Sequence, residues 1–317
     1  WQLVKIPWVY GILGLVLLGV VCLVGNTSFG AQLSIEIAGV TMQPSEFVKL
    51  SFVFFAASML YQSTEWKQVV KVTVMAALHV LILVLSKDLG SAFIFFVTYL
   101  FMLFVATSNW LYLTAGSLSG CLAGVAAYGL FQHVRVRVMA WRDPWSDIEN
   151  KGYQVAQSLF AIGTGNWFGM GLYQGMPEKI PVVEQDFIFS AIAEEMGGIF
   201  AICLLMVCIS CFLMFFNVAM QMKEQFYKLI ALGLGTVYGF QVLLTVGGVT
   251  KFIPSTGVTL PLVSYGGSSL FSTMIMFAVV QGLYIRRQDE GAANERKNAA
   301  PPRRRKTGFD EDVETFS

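Results

Sequence analysis

The chain has 317 residues, 56% of them hydrophobic and 13% charged, where soluble domains carry roughly 25% charged residues. Its mean hydropathy is +0.64. Such a composition excludes a secreted domain, a nucleic-acid binder and most soluble enzymes, and reads as a protein that crosses a membrane several times. The net charge of +1 is uninformative, because the charges are segregated along the chain. Cys22, Cys121, Cys203, Cys208 and Cys211 all lie in apolar stretches without CxxC or metal-ligand spacing, and read as small hydrophobes. The chain opens on Trp1 and is expected to be a fragment.

A bilayer core needs about 20 apolar residues in a helix. In chain order, eight stretches are predicted to span: 6–25, 47–62, 69–86, 89–106, 111–131, 187–216, 228–249 and 266–285. The fold class is therefore an all-α polytopic membrane bundle, with both ends on one side. Basic residues choose that side. Lys5, Lys67, Lys71, Lys223, Lys228 and the tail are predicted to be cytoplasmic, whereas Lys49, Lys87 and Lys251 fall on the outer side. Residues 1–286 form the membrane domain; the polar tail 287–317, with Pro301-Pro302 and the basic run Arg303–Lys306, is predicted to be disordered and cytoplasmic. One connection, 132–186, is far longer than bundle loops usually are. Its glycines and tryptophans predict short helices and turns lying on the outer side, and it is the functional candidate.

Ionisable residues inside a bilayer are costly and mark function by default. In the run from Gln43 to Lys49, Pro44 suits a first helical turn. Glu46 and Lys49 then share a face at i, i+3, either as a structural ion pair or as part of a site. Asp88, beside Lys87, reads as a helix cap or a site residue, and His79 as a hydrogen-bonded core residue. Asp186 stands where the long loop becomes a helix, so the helix N-terminus is expected to lower its pKa and keep it charged. Glu194 and Glu195 follow, about 12 Å deeper at 1.5 Å per residue. The stretch Pro254–Ser269 is too rich in Gly, Pro, Ser and Thr for a lipid-facing helix. It reads as a re-entrant segment buried in protein or lining a wet cavity.

Together these clusters resemble the SEDS family (shape, elongation, division and sporulation), which includes FtsW, RodA and SpoVE. The matching residues are Gly30-Ala31; Gln43-Pro-Ser-Glu46-Phe-Val-Lys49; Asp88-Leu-Gly90; Arg137-Val138 with Asp143-Pro144; Gly152-Tyr-Gln154 with Ala161-Ile-Gly163; Asp186-Phe-Ile-Phe189 with Glu194-Glu195-Met-Gly197; and Pro254-Ser-Thr-Gly257 with Leu260-Pro261 and Ser264-Tyr-Gly-Gly-Ser-Ser269. The chain departs from the family where Leu33-Ser34 replaces an Arg-Trp pair. The resemblance implies a ten-span fold, of which two N-terminal spans are missing here.

It also implies a peptidoglycan glycosyltransferase of the bacterial cytoplasmic membrane. Such an enzyme polymerises the undecaprenyl-linked disaccharide precursor, lipid II, beside a class B penicillin-binding transpeptidase. Asp186 matches the family's acid and is assigned as general base, since the attacking sugar hydroxyl must lose a proton. The leaving lipid diphosphate calls for cations; Arg135, Arg137, Lys49 or a divalent ion are the candidates. Glu46 would orient Lys49, and Asp88, Ser264 and Ser268 are the further substrate-binding candidates. No organic cofactor, protein-bound metal set or nucleic acid is expected. The competing class is transport, a lipid II flippase or an ion-coupled carrier, because polar groups buried among helices suit either.

Overall fold

The computed structural model describes residues 6–28, 31–37 and 40–299. Every predicted span is a helix. The order is α1 (Pro7–Val24), strands β1 (Asn26–Ser28), β2 (Ala31–Ile37) and β3 (Val40–Met42), then α2 (Pro44–Gln62), α3 (Trp66–Leu85), α4 (Leu89–Thr107) and α5 (Trp110–Leu130). After these come α6 (Gln132–Arg142), α7 (Tyr153–Gly165), α8 (Ile188–Gln221), α9 (Gln225–Val249) and α10 (Gly267–Ala299). Six helices, α3, α4, α5, α8, α9 and Gly267–Gln288 of α10, are long and apolar enough to cross a membrane. The apolar run of α1 is shorter, Pro7–Leu23, and α2 carries Glu46 and Lys49 in its first turns.

The bundle is centred on α9, which packs against α8, α4 and α2. Phe52, Val53, Phe55 and Ala56 of α2 join Leu229, Ala231 and Leu234 of α9 in a fully buried core. At the periphery α5 buries none of its residues. His79 is fully buried, and its Nδ1 lies 2.8 Å from the Met75 carbonyl, as expected for a core histidine.

Three features were not predicted. Strands β1, β2 and β3 form a small antiparallel sheet of order β1-β2-β3, with Asn26 opposite Ser34 and Ile35 opposite Met42. The segment 187–216 was read as one span, yet α8 is broken at Gly197, whose φ of 88° and ψ of 168° lie outside the helical region. The loop after α7 fills that break. Met170 and Gly171 N–H donate to the Glu194 and Glu195 carbonyls, while Gly198 and Ile199 N–H donate to the Asn166 and Trp167 carbonyls. Four backbone groups at the break thus find partners in the loop, as buried backbone requires. Finally, α10 runs on to Ala299, past the predicted start of the tail at 287; residues 300–317 of that tail lie outside the described residues.

Residues 132–186 fold as anticipated into short helices and turns: α6, a 3-10 turn at Pro144–Asp147, α7 and a second 3-10 turn at Pro177–Lys179.

Candidate functional site

The odd-numbered crossings of the bundle return at one end, and there a cavity of about 740 Å³ opens. It gathers Glu46, Lys87, Asp88, His133, Arg137, Asp186 and the segment Ser255–Thr259. Five stretches far apart in sequence thus contribute charged or polar groups to one space.

The start of α2 is set by Pro44 in its first turn, which places Glu46 at the cavity floor. Glu46 is buried; its Oε1 lies 2.8 Å from Lys49 Nζ, and its Oε2 accepts from Ser272 Oγ at 3.1 Å. Lys49 is 2% exposed and also donates to Gln241 Oε1 at 3.0 Å. The expected pair therefore exists. Its cation points into the bundle, beneath the cavity, and Lys49 is not among the lining residues.

Asp88 caps α4, accepting from Ser91 N–H at 3.0 Å, and its other oxygen takes a hydrogen bond from Ser45 Oγ at 3.4 Å. Lys87 before it adopts a φ of 64°, a left-handed conformation that is uncommon outside glycine. That conformation turns the chain between α3 and α4 so that both residues line the cavity.

Arg137, on α6, donates from Nη1 to the Thr256 carbonyl at 3.0 Å. Gly257 next to it has a φ of 73°, and a β-carbon there would lie 3.8 Å from both Arg137 Nη2 and Asp186 Oδ2. Glycine so brings the guanidinium and the carboxylate to one patch of backbone. Asp186 differs from expectation. Helix α8 begins at Ile188 with Phe187 at its N-cap, and Asp186 makes no capping bond. Burial pushes its pKa up to about 6, against the opposing pull of a backbone hydrogen bond and of Arg137. The expected lowering by the helix end is thus corrected: one residue outside the cap, desolvation outweighs the helix terminus. His133, one turn before Arg137, is held below the usual imidazole range by burial and by the positive charges of Arg137 and Lys87.

The remaining candidates lie elsewhere. Arg135 is exposed on α6 and is not among the residues lining the cavity. Ser264 Oγ accepts from the Leu260 N–H at 2.7 Å and closes a turn, while Ser268 Oγ accepts from the Gln43 N–H at 3.0 Å and ties α10 to α2. Both serines brace the wall. Glu194 sits apart at a second cavity of about 340 Å³, where Oε1 accepts from the Met176 N–H at 3.3 Å. Among the described residues no three His, Cys, Asp or Glu side chains gather to hold a metal. Gln241 escaped the sequence reading; its only signal is a side-chain amide in the apolar middle of the long helix α9.

A family model for FtsW, RodA and SpoVE, described as a cell cycle protein, matches residues 1–289. The peptidoglycan glycosyltransferase RodA of Mycobacterium tuberculosis strain H37Rv is 34% identical over 298 residues, covering 88% of this chain and 64% of that protein. The chain thus spans less than two thirds of this relative. The probable peptidoglycan glycosyltransferase FtsW of Aliivibrio salmonicida is 34% identical over 287 residues, covering 87% and 70%. A chain of a solved peptidoglycan synthase complex that coordinates polymerization and crosslinking superposes with a TM-score of 0.75 at 26% identity, covering 90% of this chain and 82% of that one. The crystal structure of Thermus thermophilus rod shape determining protein RodA gives 0.62 at 25% identity, covering 88% and 77%.

Proposed function

The chain belongs to the FtsW/RodA/SpoVE family, and we propose that it polymerises lipid II into glycan strands on the outer face of the cytoplasmic membrane. The observation that carries this reading is the half-buried Asp186 sharing the glycine-backed patch of the cavity with Arg137. The relatives named as peptidoglycan glycosyltransferases support it.

In the reaction, an acceptor sugar hydroxyl attacks the anomeric carbon of a donor. Asp186 takes the hydroxyl proton as the new C–O bond forms. The bond from the anomeric carbon to the diphosphate oxygen breaks, and the lipid diphosphate leaves with the electron pair. A base with a pKa near 6 is ionised at neutral pH yet basic enough to accept the proton. Of the basic candidates, Arg137 faces the cavity, and Lys87 at its mouth joins it, so these two meet the developing negative charge. Lys49 is engaged below by Glu46 and Gln241, and the pair supports the floor. Asp88 holds the start of α4 and adds its charge opposite Arg137.

The partner is a class B penicillin-binding transpeptidase, a reading supported by the similarity to a chain of a peptidoglycan synthase complex. The test compares wild type with Asp186→Asn, with the transpeptidase added, on labelled lipid II, and resolves glycan products on a gel. Polymer is expected from wild type and little or none from the variant at equal abundance. Equal polymer from both removes Asp186 as the base. Movement of lipid II across liposomes by wild type, without polymer, turns the reading to transport.

A further inference from the structure

Gln241 sits in the middle of α9 with 1% of its surface exposed, surrounded by apolar residues. An amide in that position is costly unless every donor and acceptor is used. Lys49 can only donate, so the amide oxygen must face it, at 3.0 Å. The NH₂ group is thereby aimed the other way, at the Thr259 carbonyl at 3.2 Å, with Thr259 Oγ1 and Ser269 Oγ at 3.5 and 3.4 Å. Thr259 Oγ1 in turn donates to Ser269 Oγ at 2.8 Å. One turn along α9, Thr245 Oγ1 donates to the Val258 carbonyl at 2.8 Å. Helix α9 therefore grips the Val258–Thr259 backbone twice.

That backbone belongs to the cavity wall, two residues from Gly257, which faces Asp186 and Arg137. The wall has no helix or strand of its own between α9 and α10. Its position must come from side chains. We propose that Gln241 is a positioning residue, a strut running from the Glu46–Lys49 pair through the amide to Thr259, which holds the wall against the Asp186–Arg137 patch. The pair in the floor and the acid at the side then act as one connected frame, although no described contact joins them directly.

The competing role, neutralising a buried ammonium, needs only the amide oxygen. Gln241→Glu separates the two. Beside Lys49 it keeps an acceptor and loses the donors to the wall. Two measurements are made on the full-length protein with its transpeptidase partner. The kinetic one rests on the polymerase reading; the other, hydrogen exchange of the peptide covering 255–264, does not. For Gln241→Glu at wild-type abundance, kcat is expected to fall about 10- to 100-fold with KM little changed, as small misplacements near a reacting centre do. Amides of Leu260, Val263 and Ser264, now bonded within the wall, are expected to exchange faster, while those of α2 and α9 do not. Thr259→Val, which leaves Lys49 and the Thr259 carbonyl in place but removes the hydroxyl near Gln241 Nε2 and Ser269 Oγ, is expected to move both readouts the same way by less, and the double variant to add little to Gln241→Glu. Wild-type kcat and exchange in Gln241→Glu overturn the proposal, as do additive losses in the double variant. If Gln241→Glu does not accumulate, Gln241→Met, which likewise loses the donors to the Thr259 carbonyl while Lys49 keeps Glu46, decides alone, and unchanged exchange there overturns the proposal. Absence of polymer from wild type with altered exchange in the variants defeats the polymerase reading and leaves the strut standing.

Discussion

At the scale of single residues, the cavity trades stability for chemistry. The burial that raises the pKa of Asp186, and would suit it to the proposed role of base, also penalises its charged form in the folded state. The sign follows from linkage: the folded pKa, about 6, lies above the ordinary carboxylate value, so the penalty is absent in strong acid and complete above about pH 6. Asp186→Asn should therefore unfold at a higher temperature than wild type at pH 7.5, with the gap closing towards pH 4, as read by thermal melts in detergent. A gap that stays constant with pH would place the carboxylate in water. If Asp186 is the proposed base, the same raised value should put the acid limb of the polymerisation rate near pH 6. Glu46 is the opposite case. Removing one partner of a buried pair typically costs about 3–5 kcal/mol, so Glu46→Ala should lower both abundance and activity. Exchanging the charges, Glu46→Lys with Lys49→Glu, should restore part of each. Full activity of Glu46→Ala at normal abundance would leave the pair without an essential role. The pair was legible in the sequence because i, i+3 spacing on a helix fixes proximity. Gln241 was not, because its partners lie across the bundle and only tertiary packing brings them within reach.

Among the elements, legibility followed the strength of the periodic signal. Long apolar runs define the helices at all eight predicted stretches, six of them long and apolar enough to cross a membrane, since a helix is the form that satisfies backbone groups without water. The short sheet was missed although Leu33, Ile35 and Ile37 alternate with Ser34 and Glu36 in the sequence; strands this brief are outweighed by the apolar runs around them. The break in α8 had a visible mark too, the pair Gly197-Gly198, but an isolated glycine pair in a helix is usually tolerated. Here it is structural. A β-carbon on Gly197 would lie 2.4 Å from Gly169 N and 2.5 Å from the Trp167 carbonyl oxygen, at a φ of 88°. Gly197→Ala should therefore expel the loop 166–171 from the break and strand the Glu194 and Glu195 carbonyls. We expect a lower melting temperature and rapid proteolysis of the loop, with the α2–α9 core unaffected. A variant as stable and protease-resistant as wild type would show that the loop does not depend on the break. The same geometry engages Glu194: one carboxylate oxygen and its carbonyl both hold loop amides.

For the whole molecule, the arrangement of the cavity is a consequence of alternation. Successive spans reverse direction, so the connections between α1 and α2, α3 and α4, α5 and α8, and α9 and α10 fall at one end, and they supply most of the cavity lining, joined by Glu46 of α2, Ser91 of α4 and Leu130 of α5. The connections 63–65, 108–109 and 222–224 fall at the other end, where Lys67, Lys71, Lys223, Lys228 and Arg286 also cluster. Positive residues are retained on the cytoplasmic side, and this bias supports the proposal that the cavity faces outward, where the proposed glycan synthesis would take place. Sidedness is open to a direct test. In a background with the five native cysteines replaced, a single cysteine is introduced at Phe168, 86% exposed in the long connection, or at Lys223 in the opposite loop. Intact cells are treated with a membrane-impermeant maleimide before and after permeabilisation. Phe168→Cys should label in intact cells and Lys223→Cys only after permeabilisation. The reverse pattern would put the cavity in the cytoplasm, and the assignment of Asp186 to outer-face glycan synthesis would fall with it, since every group it works with arrives through the same four connections.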